Sequence, residues 1–201
     1  MSAQQQSRRM SGELRAQQLL DVAEQLFGDQ GYDATSIEDI ARAAGVTRPV
    51  VYERLGNKEG AYLAVVTRVR AQLEELMTEA ALSVQDPREQ LSRGIGAYFD
   101  YLDQQPRRWT ILYGGSTPIL GELGRRLSDA RFHTVERIVD LLRLHLTGES
   151  ETTIHAIGHL LSGALEQIGR WWIRNPDLSR DQMVDYAVNV LWGGLSPYVT
   201  E

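Results

Sequence analysis

The chain has 201 residues, 42% of them hydrophobic and 24% charged, which suits a globular protein with one good core or a small domain beside a larger one. It has no cysteine, which excludes a disulfide framework and a thiolate metal site and fits a reducing cytoplasm. The net charge of −6 opposes nucleic acid only as a total: residues 1–70 carry nine basic and nine acidic groups, residues 71–201 twelve and eighteen, so the negative excess lies in the C-terminal part.

Met1 to Gly12, with its Gln and Ser run, shows no apolar periodicity and reads as a disordered, solvated tail. Alternatively its Arg8 and Arg9 can reach a minor groove, as basic arms do. Leu14, Leu19, Leu20, Ala23, Leu26 and Phe27 recur at helical spacing and predict a first amphipathic helix, ended by Gly28 to Gly31. Thr35 and Glu38 stand three apart, so a hydroxyl and a carboxylate can reciprocally cap a second helix. Its apolar side is Ile37, Ile40, Ala41 and Ala44. Gly45 follows where a tight turn calls for a positive φ. Thr47 is a natural N-cap, Pro49 is tolerated in a first turn, and Val46, Val51 and Leu55 can pack a further helix onto the preceding one. This is the pattern of a helix-turn-helix whose recognition helix, here Arg48 to Arg54, enters the DNA major groove.

Asn57 is a plausible N-cap for a long fourth helix carrying Tyr62, Val66, Val69, Leu73, Leu76, Met77 and Ala80, which links the N-terminal module to the rest of the chain. Asp86-Pro87-Arg88-Glu89 opens a fifth helix that ends before Pro106, and Arg107 to Gly115 predicts a short sixth. Gly114-Gly115-Ser116-Thr117 lacks the lysine and spacing of a phosphate loop and reads as a hinge. Pro118 opens a long helix through Leu146, closed by Thr147-Gly148. Two helices finish the chain: Thr152 to Arg174, interspersed with Gly158, Ser162, Gly163 and Gly169, and one capped by Ser179 and Gln182. No segment reads as a strand, so the fold class is all-α with about nine helices. The division is a tail at 1–12, a helix-turn-helix domain at 13–60 and a second helical domain at 61–201. No apolar run reaches the length of a membrane span and the N-terminus lacks a hydrophobic signal core, so a cytoplasmic protein with no membrane partner is expected.

Several side chains could carry chemistry. Arg48 can fork two hydrogen bonds to guanine, and the Val50 methyls can pack on a thymine methyl. Thr47 and Pro49 share that N-terminal turn. Ser36 can present a hydroxyl and a backbone N–H to phosphate at the start of the second helix, as Lys58 can present a cation at the start of the fourth. Arg54 can read a base or neutralise a phosphate. Aromatic residues of the second domain are either plain core or the wall of a ligand pocket, with Tyr98, Phe99, Trp109, Tyr113 and Trp171 as the candidates, and His133 as a polar contact. His155 and His159 have metal-ligand spacing but no third ligand nearby in sequence, so no metal site and no cofactor is expected. Arg170 is placed to pair with Glu166 one turn away. No Ser/His/Asp set or carboxylate pair stands out, and the chain is not read as an enzyme.

Ala23, Phe27, Gly31, Tyr32, Thr35, Ile40, Ala41, Ala44, Gly45, Val46, Tyr52, Lys58 and Glu59 together resemble the N-terminal domain of the TetR family of transcriptional repressors. The resemblance covers residues 14 to 62, about a quarter of the chain. Arg54-Leu55-Gly56 departs from it, standing where the family commonly has His-Phe or His-Val, which leaves the DNA sequence that is read open. The resemblance implies that Tyr52 gives its hydroxyl to a phosphate. It also implies a C-terminal cavity for a small inducer, whose binding releases DNA through the fourth helix.

The expectation is therefore a sequence-specific repressor released from a near-palindromic operator by an unknown small molecule. One helix-turn-helix contacts too few bases for useful specificity, and the last two helices, 152–174 and 180–195, are apolar along wide faces. They are expected to build a homodimer, with Leu165 in the interface and glycines where the partner helix approaches. The alternative is a helical small-molecule-binding protein or enzyme that keeps a vestigial helix-turn-helix.

Overall fold

A computed structural model describes residues 12–113 and 121–200. The tail with Arg8 and Arg9, the hinge at Gly114 to Thr117 and the helix start at Pro118 lie outside the described residues. Among these residues the chain is all-α. Its helices are α1 (Gly12–Ala34), α2 (Ile37–Ala43), α3 (Arg48–Leu55), α4 (Lys58–Leu82), α5 (Pro87–Gln104), α6 (Pro106–Tyr113), α7 (Gly121–Arg143), α8 (Glu151–Trp172) and α9 (Arg180–Leu195). A 3-10 turn, Ser196–Tyr198, follows.

Start signals act where their chemistry places them. Asp86 accepts from the Glu89 N–H ahead of α5, and Asn57 accepts from Gly60 N–H at the head of α4. Ser179 and Gln182 form the reciprocal capping box of α9. Ser150 caps α8 by accepting from the Thr153 N–H, so that helix starts at Glu151, one residue earlier than the sequence suggested. The box at α2 is shifted by one residue from the expected pair. Ser36, not Thr35, is the N-cap, and Asp39, not Glu38, returns the bond. Thr35 is fully buried instead, and its hydroxyl donates to the Gly31 carbonyl at 2.8 Å. That bond steadies a break in α1, where Gly31 adopts φ +80° before one more helical turn to Ala34. A buried hydroxyl needs a partner, and this one is supplied by the kink.

The chain divides into two compact units between Val65 and Val66. In the first, Leu19, Ala23 and Phe27 of α1 meet Ile40 and Ala41 of α2, Val51 of α3, and Ala61 and Val65 of α4. In the second, α7 packs along α8 and α5 along α9. Gly158 lets α8 approach α7: a Cβ there would lie 2.7 Å from a Val139 methyl. Gly169 serves α5 likewise, under the Tyr98 ring. These two glycines accommodate neighbours within the protomer rather than a partner helix. Leu165 is likewise only 7% exposed and faces inward, so its expected place in a dimer interface is corrected. Arg180 at the head of α9 grips Asp100 of α5 with two bonds of 2.8 and 2.7 Å.

Candidate functional site

The turn between α2 and α3 is set by hydrogen bonding. Val46 N–H donates to Ala41 carbonyl and Gly45 N–H to Arg42 carbonyl, a Schellman closure with Gly45 at φ +65°. An L side chain there would strain the backbone, which is why the turn uses glycine. Thr47 follows as an extended N-cap whose hydroxyl makes no cap bond, and Pro49 occupies the first turn of α3. Val51 alone is buried on that helix, while Thr47, Arg48, Pro49 and Tyr52 are exposed and Val50 is half-buried. Burying Val51 against α1 and α2 thus turns the predicted DNA-facing residues outward.

Individual placements differ from a free row of donors. Arg48 pairs with Glu38 of α2 at 2.6 Å, and Arg54 pairs with its neighbour Glu53 at 3.1 Å. Lys58 is half-buried: its ammonium donates to the Asp33 carbonyl at 3.0 Å and lies 4.4 Å from the centre of the Tyr32 ring. Tyr32 in turn packs on Phe27 and Tyr62, so the cation closes an aromatic cluster. Ser36 is exposed, and its bonds hold the Asp39 carboxyl below the usual carboxylate range. Arg42 pairs with that same carboxylate. Gly56, where the family pattern breaks, ends α3 by donating its N–H to the Tyr52 carbonyl.

In the second unit an apolar cavity of about 100 Å³ opens between α4, α5, α7, α8 and α9. Met77, Ala81, Leu91, Ile95, Leu142 and Leu165 contribute to its wall, and Gln90 and His145, bonded to each other at 2.7 Å, form a polar edge. None of the six residues chosen from sequence lines it. Tyr98 and Tyr113 instead line an adjoining cleft of about 40 Å³ that mixes Arg70, Glu74, Arg131, Thr134 and Glu166 with apolar side chains. Phe99 is plain core, edge-on to Tyr98 and Trp172. Trp109 is half-buried beside Tyr113, and His133 and Trp171 are exposed. Aliphatic cavity walls have the same spacing as aliphatic core, so nothing in the sequence separated them, whereas aromatics drew attention by their size. His155 sits among Glu136, Glu151 and Arg143, and His159 packs edge-on to Phe132. Arg170 does pair with Glu166, at 2.9 Å.

A capped α2, a glycine turn and an α3 with its outer face free define a helix-turn-helix DNA-binding protein carrying a larger helical domain. Residues 19–65 match the family model "Bacterial regulatory proteins, tetR family", and residues 87–194 match "Tetracyclin repressor-like, C-terminal domain". The chain belongs to the TetR family of bacterial transcriptional regulators. It is 26% identical over 189 residues to the HTH-type transcriptional activator FasR of Mycolicibacterium smegmatis, covering 94% of this chain and 86% of FasR. The HTH-type transcriptional repressor ComR of Escherichia coli is 40% identical over 74 residues, 32% of this chain and 35% of ComR. Among solved structures, the fatty acid degradation regulator FadR of Bacillus halodurans superposes with a TM-score of 0.75 at 18% identity, over 90% of this chain and 96% of that one. FadR of Bacillus subtilis, solved in complex with stearoyl-CoA, gives 0.74 at 17% identity, over 92% and 99%. At those identities the two structures speak for the fold alone. No helix of the described residues is long and apolar enough to cross a membrane.

Proposed function

We propose that this regulator is a cytoplasmic homodimer that binds a near-palindromic operator, represses transcription there and is released when a small molecule enters its C-terminal cavity. The observation that carries this reading is α4. One uninterrupted helix begins at Lys58 beside the recognition helix and ends with Met77 and Ala81 in the cavity wall. A ligand that prefers a displaced α4 must weaken DNA binding, and DNA must weaken the ligand by the same factor.

Dimerisation is supported by apolar surface on the last two helices. Leu160 of α8 is 71% exposed and Val190 of α9 is 74% exposed, and Tyr186 of α9 is also open to solvent. Gly163, Gly193 and Gly194 have no atom near the place of an added Cβ, which leaves room for a partner backbone. Two copies on a two-fold axis place their recognition helices in successive major grooves, about 34–36 Å apart. Thr47, Arg48, Pro49, Val50 and Tyr52 are assigned to base and phosphate contacts, with Ser36, Arg54 and Lys58 at the phosphate margins. The reading includes no catalytic step.

A second reading, transcriptional activation, draws on the name of FasR. Fluorescence anisotropy with the DNA upstream of the chain's own gene tests the common part, and a reporter downstream of that DNA separates the two. Retention of a specific fragment, reporter output that rises on deletion of the gene, and release of the fragment by a cavity ligand are expected. Output that falls on deletion makes the protein an activator. Absence of any retained fragment refutes both.

A further inference from the structure

The apolar cavity and the adjoining cleft share Met77, Ile138 and Leu165 as walls, so the two spaces lie side by side. At the polar end stands Arg70, which is only 7% exposed. Its sole hydrogen bond among the described residues runs from Nη1 to the Thr134 hydroxyl, at 3.1 Å, and its Nε has no partner. No carboxylate of the described residues pairs with it. The Thr134 hydroxyl in turn donates a hydrogen bond to the Glu74 carboxylate, so that carboxylate is engaged one step away. Glu166 is held by Arg170 at 2.9 Å and by Arg131 at 3.4 Å. Of the charged groups that line the cleft, Arg131 and Glu166 are thus paired and Glu74 is bonded to Thr134, which leaves Arg70 without a direct ion-pair partner among the described residues.

A guanidinium has five N–H donors and cannot shed its charge, so a buried one without a counter-ion is costly unless an anion completes it. The neighbouring phenols cannot supply that anion. Burial pushes both Tyr98 and Tyr113 above the ordinary phenol range, leaving them neutral. Neutral phenols are suited to line an anionic head rather than to repel it. The planar fork of Arg70 matches an oxyanion such as a carboxylate.

We infer that the effector is an amphipathic carboxylate, its alkyl chain in the apolar cavity between Met77 and Leu142 and its head on Arg70. This rests on the reading of the second domain as an effector domain and adds the chemical class of the effector. A ligand that lacked the head would leave the Arg70 charge unpaired and desolvated, so head charge rather than chain length carries the discrimination.

Titration of the full-length protein with decanoate, decanol and decyltrimethylammonium, each below its micelle concentration and followed by Trp fluorescence, tests this. Decanoate is expected to bind at least about tenfold tighter than decanol, and the cation not measurably. Arg70→Met is expected to abolish the preference for decanoate over decanol, and Arg70→Lys to retain part of it. Equal binding of decanoate and decanol by the wild type, a preference that survives in Arg70→Met, or no binding by any of the three overturns the inference. If Arg70→Met does not fold, the wild-type comparison of heads decides alone. Operator anisotropy in the same samples separates the two levels. Head-selective binding that leaves operator affinity unchanged upholds the carboxylate site and refutes the effector reading.

Discussion

The Glu38 carboxylate of α2 lies 2.6 Å from the Arg48 guanidinium of α3, so the residue proposed to read a base is already held by its own protein. Both side chains are more than half exposed, and an exposed pair of this kind contributes little to stability. Its consequence is for DNA. On the proposed DNA-facing side Glu38 adds a negative charge, and it would have to yield or share Arg48 for a guanine to be bound. Glu38→Gln is expected to raise affinity for all DNA, and Arg48→Ala to relax specificity at one base position by about 1–3 kcal/mol. The double variant should show no further gain from the Glu38 change at that position. Anisotropy across a set of operator variants and salt concentrations checks this; unchanged base preference in Arg48→Ala would reject its role.

Lys58 is expected to serve stability as well as phosphate. Lys58→Ala should lower the unfolding free energy by about 1–2 kcal/mol, since it removes both the hydrogen bond to Asp33 and the contact with the Tyr32 ring. It should also reduce the salt slope of DNA binding by about one. Urea unfolding and a salt titration measure the two effects separately. A reduced slope with unaltered stability would show that the Tyr32 contact contributes nothing.

The α8 and α9 faces predict opposite outcomes for two leucines on one helix. Leu160→Glu, and Val190→Glu on α9, should yield folded monomers with lost operator affinity, because each puts a charge into the proposed subunit contact. Leu165→Glu should instead unfold the second domain, because that side chain is buried within the protomer and its carbonyl accepts the Tyr98 hydroxyl. Light scattering with circular dichroism distinguishes these, and a dimeric Leu160→Glu protein would exclude this surface as the interface.

The Ser36–Asp39 box predicts a pH effect. Hydrogen bonds from Ser36, with lesser help from Arg42, hold the Asp39 carboxyl below its ordinary value in the folded state. A depressed carboxylate stabilises above its unfolded pKa, and that contribution is lost as the pH falls through the folded value. Ser36→Ala should move the Asp39 titration, followed by NMR of its carboxyl carbon, up toward the ordinary carboxylate range. Acid unfolding of the N-terminal unit should then lose part of its slope below that range. An unmoved titration would assign the depression to the Ser36 backbone N–H and Arg42 rather than to the hydroxyl.

Gly45→Ala should destabilise the N-terminal unit by about 1–2 kcal/mol, since the turn requires φ +65° and alanine pays for the left-handed region. Gly163→Ala on α8, with open space around it and helical backbone, is the control and should be neutral or slightly stabilising in the monomer.

Local chemistry was legible along the chain wherever a residue type and a spacing sufficed. Gly45 marked its turn, Asp86-Pro87 and Ser179…Gln182 marked their helix starts, and the α3 span came within one residue, because turns and caps are decided by neighbours a few positions apart. Even there, two equivalent hydroxyls in a row, Thr35 and Ser36, could not be told apart until the kink at Gly31 claimed the first. Long-range pairing decided the rest. Whether Leu165 or Leu160 faces inward depends on how α8 is rotated against α5 and α7, and that rotation is chosen by the close approaches at Gly158 and Gly169. A cavity is a failure of side chains from five helices to fill the space between them, a property of the packed whole that no segment of sequence carries. For the same reason nothing in the sequence distinguishes Arg70 from a solvated charge on a long helix. Only the packing of α4 against the helices of the second unit buried it without an ion-pair partner among the described residues.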